Sequence, residues 1–273
     1  MQKPGDCNKI TIMTIPFYKY QGTGNDFVIL DNRLDCYNDL TEKQIKKICD
    51  RRFGIGADGL ILLNLKEGYD FEMIYYNADG RTSSMCGNGG RCLVKFANDL
   101  GIHKYTYHFL AVDGVHEAEI DNHGVIRLKM QDVNDVQMHG SYAVLNTGSP
   151  HYVKFVNNLA SINVDDTGRD IRNSKPFREE GINVNFVESI GEDMIFVRTY
   201  ERGVEGETLS CGTGVTAAAV VSSHNDKGFN RVEVKTTGGY LSVEYNKIDE
   251  QRFDDVWLCG SADFVFKGQY DIV

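Results

Sequence analysis

Cys86-Gly-Asn-Gly-Gly90 opens one apolar helix and Cys211-Gly-Thr-Gly-Val215 opens another, and the way the chain approaches each decides the fold. Tyr76 leads through a polar loop to Cys86, and Tyr200 leads through a polar loop of nearly the same length to Cys211. Downstream of Cys86, the residues Cys92, Leu93, Phe96, Ala97 and Leu100 form a single apolar stripe, with Gly101 as a natural stop. Downstream of Cys211, Val215 to Val221 is small and apolar on nearly every side, the pattern of a buried central helix. The matched approaches and matched helices predict an internal two-fold repeat with a period near half the chain.

Working outward, strands dominate. Val125–Met130, Met194–Arg198, Val232–Lys235 and Leu241–Tyr245 are β-branched or alternating runs bounded by Gly, Asp or Asn. Thr237-Gly-Gly239 predicts a tight hairpin, and such connections predict largely antiparallel sheets. One further helix is marked by a capping box, with Thr41 and Gln44 as reciprocal caps, Leu40 placed to staple against Ile45, and an end near Arg51. The expected class is α+β, with two pseudo-symmetric lobes, each a curled, mostly antiparallel sheet around a central helix. Residues 13–131 form the lobe bearing Cys86, completed by a C-terminal strand at about 261–273. Residues 132–260 form the lobe bearing Cys211, and residues 1–12 are an N-terminal extension.

The whole chain of 273 residues is long enough to bury the cores this requires. A net charge of −10 argues against a phosphate-backbone partner. No run approaches the roughly 18 apolar residues of a membrane span, and the start lacks a signal peptide's basic and apolar regions, which predicts a cytoplasmic protein. The seven cysteines, at 7, 36, 49, 86, 92, 211 and 259, contain no CxxC pair of the kind that chelates zinc, so they are expected as reduced thiols and no metal site is expected. Apart from Cys86 and Cys211 they are expected to be buried core residues.

Glycine after each motif cysteine, and again two residues later, strips side chains from the first helical turn and leaves backbone N–H groups open to an anion. The same helix end favours a thiolate. Two such elements facing across a cleft would put one sulfur on each face of a bound α-carbon, a base on one side and an acid on the other. A cysteine hydrolase using His151 would leave the second CGxG unexplained. A redox dithiol would place its cysteines in one loop, and a phosphate loop would need the Lys-Ser/Thr that CGNGG lacks.

The ordered blocks Gly22-Thr-Gly-Asn-Asp-Phe27, Arg52-Phe-Gly-Ile-Gly-Ala-Asp-Gly59, Tyr76-Asn-Ala-Asp-Gly80, Met85-Cys-Gly-Asn-Gly-Gly-Arg91, Gly148-Ser-Pro-His151, Tyr200-Glu-Arg-Gly203 and Glu207-Thr-Leu-Ser-Cys-Gly-Thr-Gly214 resemble the motifs of the diaminopimelate epimerases. That resemblance implies conversion of LL-2,6-diaminopimelate to the meso form, for lysine and peptidoglycan precursors, with neither pyridoxal phosphate nor metal, by a homodimer. It implies that Cys86 donates and Cys211 abstracts when the LL isomer reacts, with His151 and Glu201 near the thiols, where a charge would bias which is ionised. It further implies that Gly87, Asn88, Gly212 and Thr213 hold the reacting carboxylate and amine, and that Asn25, Asn77, Asn183, Glu201 and Arg202 recognise the remote amino-acid end.

Two departures stand out: Ser149 occupies a common Asn position, and the loop from Arg202 to Thr208 is one residue longer than usual. Proline racemase and 4-hydroxyproline epimerase share the two-thiol logic but usually carry His where Asn88 sits. A binding relative on the same fold would have lost the thiol pair.

Overall fold

The computed structural model describes residues 13–83, 85–223 and 226–272. The expected extension at residues 1–12, with Cys7, lies outside them. In the first half, β1 (Met13–Gly22) and β2 (Asn25–Asp31) form a hairpin, and α1 (Glu42–Cys49) crosses over to β3 (Gly59–Asn64), parallel to β2. β4 (Phe71–Asn77) is antiparallel to β3, and α2 (Gly87–Asp99) crosses to β5 (Thr106–Ala111), parallel to β4. β6 (Gly114–Ile120) and β7 (Ile126–Lys129) then continue the meander.

The second half repeats this plan. After β8 (Val136–Met138) and β9 (Ala143–Asn146), β10 (Pro150–Phe155) is followed by α3 (Val164–Arg172) and the parallel strand β11 (Asn183–Ser189). β12 (Met194–Glu201) and the short β13 (Gly206–Thr208) lead into α4 (Gly212–Val221), which crosses to β14 (Gly228–Thr236), parallel to β12. β15 (Gly239–Lys247) and β16 (Phe253–Gly260) continue antiparallel, and β16 pairs with β7 to join the halves. Finally β17 (Asp263–Ile272) returns to lie antiparallel to β1, Met13 opposite Ile272. The expected α+β class with two similar halves is what the chain adopts. Antiparallel pairing prevails, but each crossover helix brings a parallel pair with it.

Local chemistry explains the elements. Gln44 N–H donates to Thr41 Oγ1 at 3.3 Å while Thr41 N–H donates to Gln44 Oε1 at 3.1 Å, so the capping box forms. Leu40 and Ile45 are buried in the same cluster as β1 to β3. Gly101 takes φ +91°, the left-handed conformation that ends α2. Thr236 stands opposite Gly239 at the tip of the β14–β15 hairpin. Rather than two separate cores, one large apolar cluster holds both central helices, including Cys92, Leu93, Phe96 and Ala97 of α2 and Val215 and Ala217 of α4.

Cys49, Cys92 and Cys259 are buried as expected, but Cys36 is exposed, in the loop between β2 and α1 where neighbouring Leu34 is also exposed. That loop is held by polar bonds around Asn32.

Candidate active site

Both central helices begin on a cysteine. Cys86 and Cys211 are the N-cap residues of α2 and α4, each in extended backbone, and neither helix has a side-chain cap or an acidic residue in its first turn. The positive helix ends are therefore left free for an anion. The two starts meet at their glycines, and Leu258 of β16 fills the space against both.

Asn25 lies beside Cys86: its Oδ1 is 3.6 Å from Cys86 Sγ and accepts from Asn88 Nδ2 at 3.3 Å, while its own amide donates to Asp58 at 2.6 Å. Asn88 Nδ2 also reaches the carbonyl of Ser210, the residue before Cys211, at 3.1 Å. On the other arm Cys211 Sγ is 3.5 Å from Thr213 Oγ1, and the Thr213 carbonyl accepts from Thr147 Oγ1 at 2.8 Å. Gly87, Asn88 and Gly212 are buried and Thr213 is half-buried.

The thiols are not poised as free thiolates. Burial pushes the Cys86 thiol up, the Glu201 carboxylate adds to this, and the backbone N–H groups of Gly89 and Asn88 pull the other way without prevailing. Burial likewise pushes Cys211 to about 12, again with Glu201 adding, while Thr213 and the Gly214 N–H offset part of it. The expected helix-end stabilisation exists, but in this site desolvation exceeds it. Glu201 itself is raised by burial, with the nearby Asp58 charge contributing.

His151 departs from the expectation of a charge beside the thiols. It is fully buried on β10, and burial together with the Arg202 charge holds its imidazole down to about 3, so it is neutral at ordinary pH. Asn185 Oδ1 accepts from Thr199 Oγ1 at 2.9 Å, which turns its amide nitrogen toward His151 Nδ1 at 3.1 Å. Nδ1 is then the acceptor and the proton sits on Nε2, which has no protein partner among the described residues.

The remaining expected residues are more dispersed. Asn183 is buried, donating to Ser149 Oγ at 2.8 Å and accepting from the Arg202 backbone N–H at 2.8 Å. Ser149 thus takes up the Asn183 amide. Arg202 is exposed, and its guanidinium donates to the Glu180 carbonyl at 3.0 Å. Its loop closes in a turn in which Glu205 takes φ +58° and accepts from Gly203 N–H at 3.1 Å and Tyr200 Oη at 3.0 Å. Asn77 is exposed at the end of β4 opposite Gly59, one residue beyond Asp58.

Sequence reasoning passed over Asp58, Arg91 and Asn185. Asn185 had a signal, since it lies two residues beyond Asn183 and so on the same strand face. Asp58 and Arg91 stood inside quoted motifs but had no partner legible in sequence.

The chain is similar to known proteins. The diaminopimelate epimerase family model matches residues 17–137 and 143–265. A diaminopimelate epimerase of Flavobacterium psychrophilum is 49% identical over 251 residues, covering 92% of this chain and 98% of its own length. One from Chlorobaculum tepidum is 44% identical over 257 residues, covering 90% and 98%. Among solved structures, a PhzF-family phenazine biosynthesis protein of Bacillus anthracis superposes with TM-score 0.70 at 16% identity, over 96% of this chain and 99% of its own. A hydroxyproline epimerase from Agrobacterium vitis, with bound trans-4-OH-L-proline, gives 0.68 at 11% identity, over 95% and 93%. At such identities these two structures speak to the fold alone.

Proposed function

This chain belongs to the diaminopimelate epimerase family, and from that premise we propose that Cys86 and Cys211 are the acid and base with which it interconverts LL- and meso-2,6-diaminopimelate. It is an isomerase acting on a small molecule of lysine biosynthesis. The observation that carries the residue assignment is the meeting of two uncapped helix starts, each headed by a cysteine.

The reacting α-carboxylate binds the first-turn N–H groups around Gly87, Asn88, Gly212 and Thr213, where carbanion charge delocalised onto its oxygens is stabilised by preorganised donors. For the LL isomer Cys211, as thiolate, takes the α-proton, and the Cys86 thiol delivers one to the opposite face. The reverse reaction exchanges them. Burial of both sulfurs serves this step, because a thiolate whose conjugate acid is weak is a stronger base toward carbon. The incoming α-ammonium supplies the positive charge that Glu201 otherwise denies the thiolate. His151 Nε2–H is a neutral donor available to substrate. Asn25, Asn77, Asn183, Glu201 and Arg202 read the remote zwitterion, Arg202 through its two-pronged affinity for a carboxylate.

The chain divides into lobes at 13–131 and 132–260, and the pairing of β17 with β1 supports returning the C-terminal strand to the first. We place it in the cytoplasm; among the described residues no helix is long and apolar enough to cross a membrane. As a homodimer it would use β17, which pairs on one side only among the described residues and exposes Phe264, Val265 and Phe266.

The test is incubation with LL-diaminopimelate in heavy water without added cofactor. Deuterium should enter the inverted α-carbon as meso product forms. Inversion without solvent deuterium, or no inversion, overturns the reading.

A further inference from the structure

Among the described residues Arg91 is the largest fully buried side chain, and none of the functions assigned above uses it. Among the described residues no carboxylate pairs with it; the titratable groups whose charge reaches it are Cys92, Cys86 and Cys259. Two glycines border its guanidinium: a Cβ at Gly22 would lie 3.3 Å from Nη2, and one at Gly260, which would first strike the Leu241 side chain, would lie 3.4 Å from Nε. A buried unpaired cation is costly, so its retention calls for a function.

Its closest bond runs from Nη2 to Asn88 Oδ1 at 2.9 Å, beside a longer one from Nη1 to the Gly87 carbonyl at 3.5 Å. Arginine donates and cannot accept, so the Asn88 atom facing it must be the carbonyl oxygen. The amide nitrogen is thereby turned the other way, toward the Ser210 carbonyl at 3.1 Å and Asn25 Oδ1 at 3.3 Å. Ser210 is bonded covalently to Cys211, and Asn25 Oδ1 also lies 3.6 Å from Cys86 Sγ. A reversed amide would set N–H groups against the guanidinium and oxygen against two oxygens.

We propose that Arg91 is a positioning residue for the epimerisation: by fixing the orientation of the Asn88 amide it holds the Cys86-bearing and Cys211-bearing arms in register across the substrate. This rests on the two-thiol reading above. It assigns Arg91 no contact with substrate and makes its influence pass through Asn88.

The experiment is a double-mutant cycle of Arg91→Lys and Asn88→Ala, with kcat, KM and thermal melting measured for each variant. Arg91→Lys keeps the charge but not the reach or planarity of the donor. In wild-type background it should lower kcat about tenfold or more, the order expected for a lost charge-assisted bond, with a smaller change in KM. In the Asn88→Ala background the same substitution should change kcat less than about twofold. Gly22→Ala, which leaves Arg91 in place but crowds Nη2, enters the same cycle and carries the test alone if Arg91→Lys fails to melt cooperatively. A wild-type kcat in the single variant, or an effect that persists in full without Asn88, overturns the proposal. Absence of epimerisation in the wild-type protein would instead reject the two-thiol reading beneath it.

Discussion

Gly87 and Gly212 stand back to back at the centre of the molecule: a Cβ built on Gly212 would lie 3.6 Å from the Gly87 Cα and only 2.9 Å from Leu258 Cδ2. The two helices thus start as close together as their backbones and one leucine methyl allow. Their preceding cysteines are near enough for the charge of Cys86 to act on Cys211.

On the two-thiol assignment both are required together. Cys86→Ala and Cys211→Ala should each abolish inversion while the protein still melts cooperatively. Cys92→Ala, deep in the core, should spare turnover and lower stability by about 1 kcal/mol. Near-normal turnover by either of the first two variants removes that cysteine from the mechanism.

Glu201 raises both thiols. Glu201→Gln should shift their ionisation to lower pH, so that iodoacetamide modifies Cys211 faster at pH 8 even as turnover falls. Each unit of lowered pKa multiplies the thiolate fraction about tenfold. The reaction must be followed peptide by peptide, because the exposed Cys36 reacts regardless. An unchanged pH profile at both site cysteines would place the carboxylate outside their field.

His151 has a folded-state value near 3 against an ordinary 6.5, so the folded protein resists its protonation. The stability this contributes is fully present above pH 6.5 and is lost as pH falls toward 3, at about 1.4 kcal/mol per pH unit. Between pH 7 and pH 5 the wild type should lose about 2 kcal/mol more than His151→Gln in urea titrations. Equal losses in the two proteins would mean the imidazole is not buried as described.

Gly238 sits in the β14–β15 hairpin tip with no room for a side chain: a Cβ would fall 1.9 Å from the Thr23 carbonyl oxygen and 3.1 Å from that of Leu209. Both obstacles are backbone, so neither can swing aside. Gly238→Ala should cost about 3 kcal/mol and part the β1–β2 turn from the strand leading to Cys211. Faster alkylation of Cys211 would report that parting. A variant with wild-type melting temperature and wild-type Cys211 reactivity would show that this contact does not hold the site closed.

The sequence disclosed what depends on neighbours in the chain. The Thr41–Gln44 box, the Gly101 stop and the uniform apolarity of Val215 to Val221 each rest on residues a turn or two apart. α3 escapes such a reading because Val164 and Gly168 are its only buried residues, so no apolar stripe announces it. Its signal was the cap, Asn163, whose Oδ1 accepts from Asp166 N–H at 3.1 Å. The parallel pairs were hidden as well, since a crossover leaves no turn signature, whereas the return of the C-terminal strand to the first lobe was legible. At the candidate site, residue types were legible but their ionisation was not. A helix start can be read from Cys-Gly-x-Gly, whereas the desolvation that exceeds its effect depends on the packing of both halves at once. His151 shows the same limit, its neutrality being set by burial and the Arg202 charge.

The twin helix caps carry one last consequence. On the two-thiol assignment, a turnover leaves the proton taken from substrate on one sulfur and removes one from the other. The protein that releases meso product is thus in the protonation pattern suited to receive meso, the mirror of the pattern with which it began. With Cys211 only 8% exposed, that pattern does not relax at once through bulk water. On that assignment the protein would carry a one-proton memory of the last isomer it handled until its two sulfurs exchanged protons with solvent.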